Sequence, residues 1–490
     1  MFYHIPLLAT LLPAILGIIL YLFGRGVGKK VRWPATIIAF LSVFLILSML
    51  PDLIGYYQNG GQSIYVTYEW ITSPIEVTFG FYIDNISFSI GLIIAVLSAF
   101  SCLYSTKYME NEPGQAGYYA NLLLFMSGML GVIFSSNLLQ FYLFWELMLI
   151  PSYFLIAFWG KAKRALTIGF KYFIFTHVGA VCMLLGILSI YTYTGTFDLV
   201  TLSLPGVYGK IPPNMIMLIF ALLLIGFCVK MATFPLHTWL PDAHSEAPAP
   251  ISAMLSGAMI KCGAYAMIRI FLSMFSSTML QTSDYLAIIG IVTIIYGGLM
   301  ALAQTDIKRL LAYSSISQMG YIFFGIGVSS KLWDFGVMGG LFHIVNHAIC
   351  KGLLFMCAGV ILHQTGTRDI RKLGGLAGKM PITTVSCLIG ALSLTGTPPL
   401  SGFWSEWMIF AGGVSAGKVL LTLIAVISSV ITAGYYLWFV WRVFFGATPE
   451  NLENVKEGSW LLLIPIVALT AATVVLGIWP DLLLGLTSSL

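Results

Sequence analysis

Long apolar runs recur along the chain at roughly 3–23, 33–53, 81–106, 119–135, 137–158, 167–194, 213–234, 250–275, 284–304, 308–328, 336–363, 381–412, 418–446 and 459–486. Each is close to the ~20 residues that cross a bilayer's hydrocarbon as a helix. The runs are continuous, without the ten-residue alternation of a membrane barrel, so helices are the spanning element. The pattern predicts an all-α membrane protein of about 14 transmembrane helices. Two runs are interrupted, the seventh by Thr233-Phe234-Pro235-Leu236 and the twelfth by Thr397-Pro398-Pro399-Leu400. Proline removes a backbone donor and breaks a helix interior. Such breaks are tolerated at membrane depth only where protein or water meets the freed groups. The first run lacks a basic n-region and a small-residue cleavage site, so it reads as a retained span.

Composition supports this class. Apolar residues make up 59% of the chain and Asp, Glu, Lys and Arg only 9%, against about a quarter in a soluble domain. All seven cysteines fall in apolar runs and none forms a C-x-x-C pair, so they read as packing residues and not as cluster or zinc ligands. The net charge of +5 sits in loops and gives no nucleic-acid signal. Distributed over fourteen spans, sixteen Lys and Arg between Arg25 and Lys456 fall on one face, against Lys210, Arg269, Lys331 and Lys418 on the other. The positive-inside rule then predicts both termini outside the cytoplasm. Four lysines remain within spans: Lys171, Lys230, Lys261 and Lys351.

The two broken runs suggest a duplication. Each is followed by one more span, and those spans end alike, in Arg269-Ile270-Phe271 and Arg442-Val443-Phe444. Spans four to eight and nine to thirteen would be five-helix units, and five being odd, the second is inverted. The expected division is a three-helix segment (1–118), a first repeat (119–275), a second repeat (276–446) and a C-terminal helix (447–490). Paired broken helices in an inverted repeat point to a transport site near the midplane.

A charge in the bilayer costs several kcal/mol and normally faces a bundle interior. Glu146 lies in the fifth span, Lys230 just before the break at Pro235, Lys261 in the eighth span, and Glu406 just after the break at Pro398 and Pro399. His343, His347 and Lys351, spaced i, i+4, i+8, share one face of the eleventh span over about 12 Å. The bland readings are a snorkelling lysine, preferred for Lys171, a satisfied packing histidine, equally good for His177, and a structural ion pair for Glu146 and Lys230. A buried pair is poor value for stability compared with apolar packing, so function is preferred for that pair. A haem or metal reading of the two histidines lacks a facing histidine or companion carboxylates and thiols; a chain of proton-exchanging groups is more economical. At about 4 Å and an effective dielectric near 20, a Glu146–Lys230 contact is worth about 4 kcal/mol. That is enough to switch the lysine between holding and releasing its proton as the acid approaches or withdraws.

The runs FYLFWELMLIPSYFLIAFWG (141–160), KMATFPLHTWLPDAHSEAPAPISAMLSGAMIKCGAYAMIRI (230–270), DIKRLLAYSSISQMGY (306–321) and GTPPLSGFWSEWMIF (396–410) resemble the antiporter-like subunits of the complex I superfamily. These include membrane-arm subunits of complex I, of membrane-bound hydrogenases and sulfur-reducing relatives, and Mrp-type antiporter subunits. The resemblance implies a fourteen-helix fold with inverted repeats. It also implies a proton pathway through Glu146, Lys230, Lys261, His343, His347, Lys351 and Glu406. Asp84, Asp242 and His244 match recurring family positions that loops or span ends would hold anyway. Glu406 is like the central complex I subunit, while the His-x-x-x-His-x-x-x-Lys face and Thr365-Gly366-Thr367-Arg368-Asp369-Ile370 look more like Mrp or hydrogenase-type subunits. Gln318 stands where some members carry a histidine. No long helix follows the fourteenth span, unlike the distal complex I subunit.

The expectation is a proton-translocating subunit in the cell membrane, without its own redox cofactor. Iron–sulfur clusters, with nickel–iron or flavin centres, are expected in a peripheral redox arm, and other antiporter-like and small membrane subunits as neighbours. The rival is a subunit of an Mrp-type Na⁺/H⁺ antiporter without a redox partner, in which Na⁺ also moves. Intramembrane catalysis is weaker, since no nucleophile–base constellation accompanies the acids.

Overall fold

The computed structural model describes residues 4–26, 28–58, 63–73, 75–160, 164–329 and 334–488; Tyr3, Lys161, Lys163 and Lys331 of the expectations above lie outside them. The helices that build the molecule are α1 (Ile5–Phe23), α2 (Arg32–Leu47), α3 (Leu50–Gln58), α4 (Asn85–Tyr108), α5 (Gln115–Phe134), α6 (Leu138–Trp159), α7 (Ala165–Thr194), α8 (Pro213–Met231), α9 (Trp239–Glu246), α10 (Ala249–Met274), α11 (Ser276–Leu302), α12 (Ile307–Gly327), α13 (Phe335–Thr365), α14 (Pro381–Leu394), α15 (Ser401–Ser415), α16 (Val419–Phe445), α17 (Trp460–Ile478) and α18 (Asp481–Ser488). Among the described residues, twelve helices are long and apolar enough to cross a membrane. The other two predicted spans are α12 and the split pair α14–α15. Helix α12 has 21 residues but carries Ser314, Ser315, Ser317 and Gln318, and every residue except Arg309 is buried. A helix wrapped by protein needs no lipid-facing apolar stripe, which is why it is more polar than its neighbours.

Several expected boundaries shift, each for a local reason. Residues 81–83 end an antiparallel hairpin, β1 (Ile64–Ile71) with β2 (Val77–Ile83), rather than opening a helix. Helix α4 starts only at Asn85 because Asp84 caps it: Ser87 N–H donates to Asp84 Oδ1 at 2.9 Å and Ser87 Oγ accepts from Asp84 N–H at 2.9 Å, the reciprocal capping box. The second run is divided between α2 and α3, and the fourteenth between α17 and α18, ahead of which stands Pro480. Two residues assigned to loops by charge are also inside. Lys308 is 4% exposed, its Nζ donating to the Ala247 carbonyl. Arg269 Nη2 donates to Asp84 Oδ1 at 2.6 Å. Burial pushes the Asp84 carboxyl up, but Arg269 and Ser87 outweigh it and hold it below the usual carboxylate range. Removing one partner of such a pair costs about 3–5 kcal/mol.

The duplication is visible atom by atom. Helices α5 and α6, and likewise α11 and α12, touch backbone to backbone: a Cβ at Gly128 would lie 2.5 Å from Met148 N, and one at Gly297 2.4 Å from Ser317 N. The chain leaves α7 through Thr194-Gly195-Thr196-Phe197-Asp198 and α13 through Thr365-Gly366-Thr367-Arg368-Asp369. In both turns the glycine is left-handed (φ 74° and 71°). The first threonine hydroxyl donates to the second threonine's carbonyl (3.2 and 3.1 Å). The turn then pairs with the start of the helix before: Leu138 N–H donates to Phe197 O and Ile307 N–H to Arg368 O. Both later spans, α10 and α16, end in a π-helical turn, Met267–Phe271 and Trp441–Phe445.

The breaks correspond too. Helix α8 ends at Ala232 (φ 56°) and α14 is followed by Gly396 (φ 68°); Pro235 and Pro399 each follow a cis peptide bond. Thr233 N–H reaches back to Cys228 O at 3.1 Å, and Thr397 N–H to Leu392 O at 3.2 Å. Side chains take up the remaining groups: Thr293 Oγ1 accepts from Phe234 N–H, Trp239 Nε1 donates to Val229 O, and Ser393 Oγ accepts from Gly402 N–H. At the centre lie α10 and α13, whose most apolar windows are wholly buried, while α1 and α16 have mostly exposed faces.

Since a left-handed alanine costs about 1–2 kcal/mol and nothing lies within 4 Å of a Cβ at Gly195 or Gly366, Gly195→Ala and Gly366→Ala should each lower stability by that amount. Gly434→Ala, in the interior of α16 with equal room, should not. Thermal unfolding of the purified protein checks this.

Candidate functional site: a buried row of ionisable residues

The predicted residues converge on the molecule's interior, but not in the predicted pairs. Glu146, on α6, places Oε2 3.2 Å from Nδ1 of His177 on α7. Their side chains are 17% and 42% exposed. Glu146 Oε1 is buried without a partner, as is the ammonium of Lys230 at the end of α8. Lys230 Nζ instead lies 5.1 Å from the centroid of the Trp145 ring. The indole takes the position an acid would fill, and its face attracts the cation. The expected Glu146–Lys230 contact is therefore not formed in this arrangement, and His177, read as an equally good packing residue, is the partner of Glu146.

Lys261 stands on α10 just beyond a π-helical turn, Leu255–Met259; such turns are frequent at functional sites. Its Nζ donates to the Ser256 carbonyl and lies 2.5 Å from His347 Nδ1. Two nitrogens in contact share one proton. With Lys261 as the ammonium, His347 accepts at Nδ1 and carries its own proton on Nε2, which has no partner. One turn away on α13, His343 stacks parallel to His347, centroids 6.0 Å apart at 14°.

His343 is bonded at both ring nitrogens, Nε2 to Gln318 Oε1 at 2.7 Å and Nδ1 to Ser405 Oγ at 2.8 Å. The Gln318 amide donates to Leu394 O at 3.3 Å, which orients its oxygen toward His343 and makes Nε2 a donor. Ser405 also reaches Gly402 O at 2.9 Å. When Ser405 donates to His343 the ring is neutral; when it turns to Gly402, Nδ1 becomes a donor and the ring carries a second proton.

Lys351 is held differently. Its Nζ donates to Leu311 O, to Ser314 Oγ and to Tyr436 OH, the first and last at 2.9 Å. Three neutral oxygens satisfy all three donors of an ammonium. Lys351 is thus a branch beside the row. Glu406 is 4% exposed, one residue beyond Ser405, and its Oε1 has no partner. A Cβ at Gly396 would come within 2.6 Å of Glu406 Oε2, so the left-handed glycine of the second break lets the acid lie against the chain there.

The structure thus links Lys261, His347, His343, Gln318 and Ser405 directly and sets Glu406 at their end. Glu146, His177 and Lys230 form a separate group in the first repeat. Lys171 pairs with Asp242 at 2.7 Å and is 45% exposed, the surface place its snorkelling reading predicts. Sequence reasoning passed over Ser405, Ser314, Tyr436 and the structural use of Gln318. It also set aside His244, which is fully buried, stacked 4.7 Å from Phe355, with neither nitrogen bonded. The Ser-x-x-x-Gln spacing of Ser314 and Gln318 on an otherwise apolar helix was the available signal. The cysteines are free, and all but the partly buried Cys182 are buried.

Comparison with known proteins agrees with this architecture. The family described as "NADH:quinone oxidoreductase/Mrp antiporter, TM" matches residues 135–432, and "NADH-Ubiquinone oxidoreductase (complex I), chain 5 N-terminus" matches residues 70–119. The chain belongs to the NADH:quinone oxidoreductase/Mrp antiporter transmembrane family. This family member is 36% identical to F(420)H(2) dehydrogenase subunit M of Methanosarcina mazei, over 81% of this chain and 80% of the relative. It is 37% identical to an Na(+)/H(+) antiporter subunit of Bacillus subtilis over 90% of its own length, but spans only 57% of that relative. A chain in the structure of the membrane-bound sulfane sulfur reductase, an archaeal respiratory membrane complex, superposes with a TM-score of 0.85 at 31% identity, covering 97% of this chain and 75% of the other. One from respiratory complex I of Thermus thermophilus gives 0.86 at 26%, covering 99% and 98%.

Because His343 and Gln318 satisfy each other, Gln318→Ala should leave a buried N–H unmet and cost about 1–3 kcal/mol. Gln318→Ala combined with His343→Ala should cost less than the sum of the singles. Thermal unfolding of the four-member cycle measures this; strict additivity would show that the bond contributes nothing.

Proposed function

We propose that this chain is a proton-translocating, antiporter-like membrane subunit of a redox-driven complex I-like assembly. The observation that carries the reading is the Lys261–His347 contact, continued through His343 to Ser405 and Glu406. It is a sequence of groups that gain and lose protons, placed where a bilayer would otherwise forbid them. Lys230, with no acceptor, and Glu146, with one free oxygen, supply an ion-pair switch in the first half. Closing that pair stabilises the ammonium, and opening it favours proton release. In this reading all fourteen predicted segments cross, counting α12 and the α14–α15 pair, the repeats divide at about residue 276, and both termini face away from the cytoplasm.

Other membrane subunits fit the outer face. Glu146 and His177 are part-exposed there among Leu143, Ile150, Ile174 and Val178, which are 44–59% exposed. A polar pair opening onto lipid is costly, and a neighbouring subunit would cover it. The redox arm, with its iron–sulfur and nickel–iron or flavin centres, would belong to partner chains. The second reading, a subunit of an Na⁺/H⁺ antiporter without a redox partner, is supported by the likeness to the B. subtilis antiporter protein.

In the assembled complex in native membrane vesicles, Glu146→Gln, Lys230→Met, Lys261→Met and Glu406→Gln should each lower proton transport at least about tenfold, equivalent to about 1.4 kcal/mol or more on the limiting step. Lys171→Ala should leave it near wild type. Full transport by the Lys230 or Lys261 variant would sink the reading. Co-purified redox subunits favour the first reading; transport that needs Na⁺ and no electron donor favours the second.

A further inference from the structure

At one end of the helix bundle, the last turns of α1 and α6 and the first turn of α5 enclose a cavity of about 630 Å³. Lys29, Asn111, Glu112 and Trp159 line it, with the backbone of Gly114, Gln115 and Ala116. Past Tyr21, Gly117 and Trp159 it continues into a groove of about 450 Å³ lined by Ile18, Leu124, Phe154 and Phe158. Both volumes fall in the usual range of small-molecule sites, roughly 300–1,000 Å³. The change from polar mouth to apolar groove follows the helices inward: Gly117 to Leu124 spans about 10 Å along α5.

The mouth carries two opposite charges that do not neutralise each other. Lys29 Nζ donates to Asn111 Oδ1 at 3.2 Å, leaving hydrogens to spare. Among the described residues, no ion pair engages the Glu112 carboxylate. An anion alone would meet Glu112, and a cation alone would meet Lys29. A molecule with a phosphate and a primary ammonium a few ångströms apart satisfies both. The N-terminus of α5 adds to the phosphate side, since no side chain caps it and Gly114 at its N-cap is left-handed.

The rim is built to hold such a group at the membrane boundary. Trp159 Nε1 donates to Pro113 O at 2.9 Å, which fixes the indole as wall between mouth and groove. A Cβ at Gly114 or Gly117 would stand 3.3–3.4 Å from that ring, so the glycines leave the passage open. Below it, Phe158 is 62%, Ile18 49% and Tyr21 45% exposed, an apolar lining continuous with the hydrocarbon. Tryptophan and tyrosine at headgroup depth are the usual interfacial anchors.

We propose that this cavity and groove bind an aminophospholipid, with the phosphate on Lys29 and the α5 N-terminus, the primary ammonium on Glu112, and one chain in the groove between α1, α5 and α6. The proposal is independent of the transport reading.

The full chain, extracted in mild detergent and equilibrated with defined lipids, is examined by intact-complex mass spectrometry. Phosphatidylethanolamine should remain bound at about one per chain. Phosphatidylcholine, whose methylated nitrogen cannot donate to Glu112, and phosphatidylglycerol, which lacks the cation, should be retained at least about tenfold less. Lys29→Ala and Glu112→Gln should each weaken phosphatidylethanolamine retention about tenfold, and Glu112→Gln should also erase the preference over phosphatidylcholine. Glycerophosphoethanolamine, the headgroup without chains, should fail to compete. Equal retention of all three lipids, unchanged retention by both variants, or displacement by the soluble headgroup would each overturn the proposal. So would a neighbouring subunit's helix, rather than lipid, found in the groove by cross-linking from Leu124→Cys.

Discussion

A backbone group freed by a broken helix cannot be left facing hydrocarbon, because nothing in lipid replaces the lost hydrogen bond. This constraint organises the molecule. The breaks after Met231 and Leu394 are possible because Thr293, Trp239 and Ser393 meet the exposed amides and carbonyls. Those partners must come from other helices, so the breaks must lie where helices surround them. The same enclosed polar surroundings make ionisable side chains affordable there. Lys230 stands one residue before the end of α8, and Glu406 rests against Gly396.

The interior lysines differ in what they touch, and the differences sort their chemistry. Lys351 has every donor met by a neutral oxygen, so its charge is fixed in place. Lys261 has one fixed acceptor and one basic nitrogen that competes for the same proton. Lys230 has only the face of an indole. A gradient from satisfied to unsatisfied ammonium groups within one bundle gives the sites unequal hold on their protons. A path that releases what it accepts needs that inequality.

The fold was largely legible in the sequence because crossing a membrane leaves a long, strong apolar signal. The broken spans were legible from proline chemistry, and the duplication from the matching Arg-x-Phe ends. Hydropathy failed where a helix is covered on all sides: α12 is polar because protein surrounds it, and Lys308 was counted as a surface charge although its first-turn position is enclosed. The residues of the site were mostly found, but their partners were not. Which of Trp145, Glu146 or His177 meets Lys230 depends on the rotation of α6 and α7 about their axes, and apolarity on every face of those helices leaves that rotation unspecified. Likewise, Gln318 looks like a lost proton carrier in the sequence, yet in the structure it sets which nitrogen of His343 carries hydrogen.

The paired Thr-Gly-Thr-x-Asp turns lie at opposite ends of the bundle, because five crossings separate them. One architectural joint thus serves in two compartments. Its threonine–glycine interior is the same in both copies, but its outer acid is not engaged alike: Tyr65 of the hairpin donates to Asp198, while Arg371 grips Asp369 with two nitrogens. A duplicated unit that must face two unlike solutions keeps its hinge and diverges at its rim. The record of its ancestry therefore survives in hydrogen bonds of the main chain, where side-chain replacement cannot erase it.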